Sequence, residues 1–122
     1  MSLPVTSVPS LLIVVTADPR QSPRTAEAVR IAAGLAAGGR VEVTLYLRGP
    51  AMLALSEGPA DLMDEDGFRQ YLPILGELGR PILVEAGAAE LTSVRGASYR
   101  FEEISDQRLA EMAAVGDYVL RF

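Results

Sequence analysis

The sequence contains no cysteine, no histidine and no tryptophan. Without cysteine there is no disulfide, no thiolate nucleophile, no persulfide and no thiolate-bound metal. Without histidine, the side chain that best titrates near neutral pH is missing. Ser-His-Asp triads, Cys-His dyads and His-ligated zinc are therefore excluded together. Basic charge is also scarce, with 11 Lys and Arg against 16 Asp and Glu for a net charge of −5. Nucleic acids and anionic membranes both require a basic footprint, which an acidic chain does not offer. Leu11 to Val15 is too short for a membrane span or a signal core, and "MSLPVTSVPS" before it has no basic start. The expected location is cytoplasmic, with neither nucleic acid nor membrane as a partner. There is no GxGxxG and no GxxxxGK[ST], so dinucleotide and P-loop readings lose their main support. No cofactor is implied.

What is present suits one ordinary domain: 122 residues, 49% hydrophobic and 22% charged. Residues 1–9, with Pro4 and Pro9 among serines, read as a loose leader, and 10–122 as the domain. "LLIVVT" is a continuous β-branched run, the mark of a strand buried on both faces of a parallel sheet. After the polar loop "ADPRQSPR", Ser22 and Pro23 open a helix to Ala37, and Gly38-Gly39 closes it. Val29, Ala32, Ala33 and Ala36 give it a close-packing face. Arg40 to Gly49 reads as a second strand, completing a βαβ unit. Pro50 opens a short apolar helix ending at Gly58. Phe68, Tyr71, Leu72, Leu75 and Leu78 follow helical spacing, with Pro73 kinking that helix or dividing it in two. Pro81 to Glu85 is a third strand. "AGAAELTSVRG" reads as a turn with a helical piece, and Ser98 to Ile104 as a short exposed strand or extended loop. Ser105 caps a helix with Leu109, Met112 and Ala113 inward, and Asp117 to Phe122 is the last strand. The pattern predicts a three-layer α/β/α fold with a mostly parallel sheet of four to five strands, flavodoxin-like in architecture.

Open parallel sheets bind ligands beyond the carboxyl ends of their strands. Those ends supply Thr16, Asp18, Arg20 and Arg24 after the first strand, Arg48 after the second, and Glu85, Ala86 and Gly87 after the third. Arg20 and Arg24 beside a helix start would suit an anion, though a capped loop with solvated arginines is the plainer and favoured reading. Glu85 is the acid best placed for general acid–base work; its plainer roles are an ion pair with Arg48 or Arg95, or a subunit contact. Asp61, Asp64, Glu65 and Asp66 lack the alternating spacing of a calcium loop and read as a solvated acidic loop, so no metal is expected.

The order of these elements resembles the DsrE/DsrF-like family, which includes the TusD-like sulfur-relay subunits. The likeness rests on "LLIVVTADP", "TAEAVRIAAGLAAGGRVEVTLYLRGPAM", "PILVEAGAAELTSVRG" and the closing "VGDYVLRF". It implies a DsrEFH-like α/β fold and assembly as a homo-oligomer, trimer or hexamer, or with a DsrE-family partner. The sulfur-carrying cysteine of such proteins would fall at Glu85 or Ala86. Neither is cysteine, so persulfide transfer is not implied. "AMLAL" (51–55) with Met63, Phe68 and Tyr71 would supply the assembly surface. The favoured expectation is a non-catalytic subunit that binds a partner or a small ligand. The alternatives are an enzyme using Glu85, with Arg48 or Arg24 holding an anionic substrate, or a nucleotide- or phosphate-binding domain at Thr16 to Arg24.

Overall fold

Five short strands form the sheet: β1 (Ser10–Val15), β2 (Glu42–Leu47), β3 (Ile82–Glu85), β4 (Phe101–Ile104) and β5 (Tyr118–Arg121). Their order is β4-β3-β2-β1-β5, and every pairing is parallel. The structure is a computed structural model, describing residues 8–57 and 61–122. Most of the expected leader and Gly58 lie outside the described residues.

The connections are α1 (Arg24–Gly38), a 3-10 helix (Gly49–Leu55), α2 (Glu65–Glu77), α3 (Leu91–Val94) and α4 (Asp106–Val115). From β1 to β4 the chain steps across the sheet in one direction. Parallel crossovers keep one hand, so α1, the 3-10 helix, α2 and α3 share one face. The step from β4 to β5 returns across the whole sheet, which sends α4 to the other face. The expected three layers are present.

The two layers of packing are unequal. On the α1 side, Ile13, Val15, Leu45, Leu47 and Val84 meet Val29, Ala32, Met52, Leu55, Leu72 and Leu75, all buried. The small face of α1, built of Ala26, Ala28, Ala32 and Ala33, lets that helix approach the strands closely. On the other side, Leu12, Tyr46 and Leu83 are covered by Leu109, Met112 and Ala113 of α4, which are only partly buried. No residue of α4 or β5 is fully buried.

Local signals account for most element ends. Gly39 closes α1 at φ 70°, a left-handed conformation that glycine adopts without strain. The Ser105 side chain accepts from the Arg108 amide at 3.1 Å and caps α4. Pro73 lies within α2 and does not divide it. Its side chain faces solvent, so only one helix hydrogen bond is forfeited.

Two expectations need correction. Ala51, Met52, Ala54, Leu55 and Phe68 are at most 2% exposed, so "AMLAL" and Phe68 form core rather than an assembly surface. An apolar 3-10 helix between two packed elements buries its whole inner side, and sequence alone does not separate that from an exposed patch. The acidic stretch is also not all loop. Glu65 and Asp66 occupy the first turn of α2, where carboxylates complement the helix dipole.

The unequal layers predict unequal sensitivity. Leu72→Ala is expected to cost about 2–5 kcal/mol in urea unfolding, the usual range for a buried leucine. Leu109→Ala, half-buried on α4, should cost less than half as much.

Candidate functional site

Arg48 follows β2 at the carboxyl edge of the sheet. Side chains two residues apart on a strand share a face, so Tyr46 and Arg48 both lie on the α4 side. Leu83 and Glu85 of β3 do the same. The α4 helix starts over this edge and brings Asp106 to it. Tyr46, Glu85 and Asp106 converge on the Arg48 guanidinium. Arg48 Nη2 is 3.1 Å from Glu85 Oε2, and Arg48 Nη1 is 2.8 Å from Asp106 Oδ1. Arg48 Nη1 also donates to the Tyr46 hydroxyl at 3.3 Å. The second oxygen of Glu85 accepts the Gly49 amide at 3.2 Å. Gly49 has φ 54°, a conformation that would strain a residue bearing a Cβ.

The electrostatics follow from this geometry. The hydrogen bond to Asp106 raises the Arg48 pKa, so its charge is permanent. Arg48 in turn holds the Asp106 carboxyl below its ordinary value of 3.8. Burial pushes the Tyr46 hydroxyl above its ordinary 10.0. Each Glu85 oxygen therefore has a partner within the chain, Arg48 on one and the Gly49 amide on the other, while the side chain stays about a quarter exposed.

The remaining expected site residues lie at the same edge but form a separate group. Asp18 and Arg20 pair with each other at 2.8 Å, and that contact lowers the Asp18 pKa. Arg24 lies over the Phe122 ring at 5.8 Å from its centroid, a favourable cation–π arrangement. The Thr16 amide and hydroxyl both donate to the Phe122 carbonyl, at 2.8 and 3.3 Å. The loop amides are also engaged: Arg20 to Asp18 Oδ1, Gln21 and Ser22 to the Asp18 carbonyl, and Arg24 to Ser22 Oγ. Phe122 packs with the α1-side core, whereas Arg48 and Glu85 serve the α4 side. Arg20 and Arg24 therefore do not join Arg48 around a common point. Ala86 continues the sheet through its amide to the Ile104 carbonyl at 3.0 Å. Gly87 makes the exposed turn beyond it at φ 75°. Arg95, the other expected partner of Glu85, pairs with Glu103 instead.

Tyr46 and Asp106 were not among the expected site residues. Tyr46 read as one apolar strand position among several. Asp106 sits next to a helix cap, and every βα junction of a parallel sheet ends at the same edge; that was the available signal. A groove of about 1060 Å³ lies elsewhere. It runs between α2 and the amino ends of β3 and β4, past Leu72, Ile82, Tyr99 and Phe101. Its Arg80 is already paired with Glu42, so it does not gather the candidate residues. Among the described residues, no three acids lie close enough to hold a metal ion, and no helix is long and apolar enough to cross a membrane.

The chain superposes on the crystal structure of the ychN protein from E. coli with a TM-score of 0.76. The match covers 93% of this chain and 99% of that one, at 20% sequence identity. The fold is DsrE-like. No family model matches the sequence, and no curated protein does.

The lowered Asp106 pKa has a testable sign. Its contribution to stability is present above its unfolded value of 3.8 and is lost as pH falls through the lower folded value. In urea unfolding between about pH 6 and about pH 2, Asp106→Asn should lose less stability on acidification than the parent protein.

Proposed function

We propose that this chain is a DsrE-like subunit that works by binding rather than by carrying sulfur. One observation carries the reading. At the strand end where the resemblance would put a persulfide-bearing thiol, the chain has Glu85, with both oxygens engaged by Arg48 and the Gly49 amide. A carboxylate cannot hold sulfur as a persulfide, and no cysteine exists elsewhere in the sequence. The same contacts disfavour Glu85 as a general acid or base. A substrate proton would have to compete with Arg48 and the Gly49 amide for the carboxylate.

The strand-end architecture is kept while its reactive atom is absent. That combination suits a subunit that holds a partner, either another copy of itself or a DsrE-family protein. The polar edge around Arg48, Glu85 and Asp106 would serve as part of the contact. Charged groups at such an edge set orientation and partner choice more than raw affinity.

Restoring the thiol tests this reading. Ala86 is exposed on the turn just after β3. Mixed with a cysteine desulfurase and cysteine, Ala86→Cys should gain the mass of one sulfur, removable by a reductant. A buried control, Val43→Cys, should gain none. Equal labelling of the two variants, or no labelling of Ala86→Cys, would contradict a retained sulfur-relay architecture.

A further inference from the structure

The two edges of the sheet are unlike each other. The β4 edge carries Glu102 and Glu103 among its four residues, the kind of charge that discourages pairing with another strand. The β5 edge carries Tyr118, Val119 and Leu120, exposed to 63%, 39% and 42%. Val115, at the adjoining end of α4, is 85% exposed. Of the seven large hydrophobic residues exposed among the described residues, four fall between Val115 and Leu120.

The backbone at this edge has a defined direction. The Phe122 amide donates to the Val14 carbonyl at 2.9 Å, and the Phe122 carbonyl accepts from the Thr16 amide at 2.8 Å. Phe122 therefore faces β1, and alternation turns Leu120 and Tyr118 the same way. The amide and carbonyl of Val119 and of Arg121 point outward, away from the sheet.

We propose that β5 is a dimerisation edge, where a second copy of this chain pairs its own β5 antiparallel to the first. The proposal rests on the reading of the chain as an oligomeric subunit and assigns that subunit a contact surface besides the polar edge around Arg48. An antiparallel ladder matches outward residues only with outward residues. Centring it on Val119 puts Val119 opposite Val119 of the second copy. Tyr118 then lies opposite Leu120 of the second copy on one face. On the other face, Asp117, in the bend just before β5, comes within side-chain reach of Arg121 of the second copy. Two-fold symmetry repeats each pair, so the strand is complementary to itself in both charge and apolar surface. Sliding the register by two residues would set Arg121 opposite Val119 and lose both ion pairs. Arg121 makes no ion pair among the described residues. Asp117 is held by Ser10: its amide donates to Ser10 Oγ at 3.0 Å and its Oδ2 accepts the Ser10 amide at 2.8 Å and hydroxyl at 3.3 Å, which leaves Oδ1 without a partner among the described residues. The result is one continuous sheet running through both subunits, with Val115 beside the junction.

The absence of cysteine makes a clean test. In the hydrogen-bonded pair that the register assigns, facing Cα atoms lie about 5.5 Å apart, within disulfide reach. Under mild oxidation, Val119→Cys in the full chain should convert mostly to a disulfide-linked dimer that a reductant reverses. Light scattering should show the unmodified protein with an even number of subunits. Val119→Lys, measured alongside, should have half that mass and an unchanged circular dichroism spectrum. No cross-link in Val119→Cys, or an unchanged assembly in Val119→Lys, would overturn the β5 contact while leaving an oligomeric subunit intact. An unmodified trimer would do the same. A strictly monomeric unmodified protein would overturn both.

Discussion

One helix of ten residues must cover a whole face of a five-stranded sheet. That constraint follows from the connectivity, since every connection before β4 lies on the opposite face. A helix about 15 Å long cannot bury five strands, and α4 does not: its inward residues stay partly exposed, and β5 lies beyond its cover. Hydrophobic burial alone holds this layer weakly. Arg48 supplies a second attachment, tying the first residue of α4 through Asp106 to the ends of β2 and β3. The buried Tyr46 lies beneath that tie and shares its hydroxyl with it.

The candidate site is best understood through the same contact. Glu85 stands where an open parallel sheet usually offers a ligand position. Here that position is filled from within by Arg48 and by an amide that the left-handed Gly49 aims at the carboxylate. A pair of this kind contributes modestly to stability but strongly to geometry. Arg48 extends the same arrangement to α4 through Asp106. The uncovered β5 edge lies beyond the helices of both faces: Val119 is in register with Leu12 on the α4 side, and Tyr118 and Leu120 with Leu11 and Ile13 on the α1 side. That apolar strand surface is what a second subunit would bury.

Much of this was legible in the sequence, for local reasons. The β-branched run of β1, the alanine face of α1, the paired glycines after it and the Ser105 cap are signals written within a few residues. They gave the elements and their order, and the order gave the sheet. The inward burial of Met52 and Leu55 was not legible, because an apolar turn looks alike whether it meets solvent or α2. The centre of the site was only half legible. Arg48 and Glu85 were visible as strand ends, and their pairing was one of the readings the residues allowed. Asp106 joins them across 58 positions of chain, and contacts at that separation depend on topology rather than on local pattern. The unlike character of the two sheet edges likewise required knowing which strands were edges.

The measurement that bears most directly on this picture is a double-mutant cycle between Arg48 and Glu85, read by urea unfolding at neutral pH. Arg48→Met and Glu85→Gln each remove one side of the contact, and the double variant removes both. If Arg48 is the tie at this edge, the coupling between the two should reach about 1 kcal/mol, as expected for groups in one hydrogen-bonded network. Additivity to within about 0.3 kcal/mol would mean that the two side chains are merely adjacent. It would leave Glu85 free for other chemistry and contradict the Arg48-centred arrangement described above.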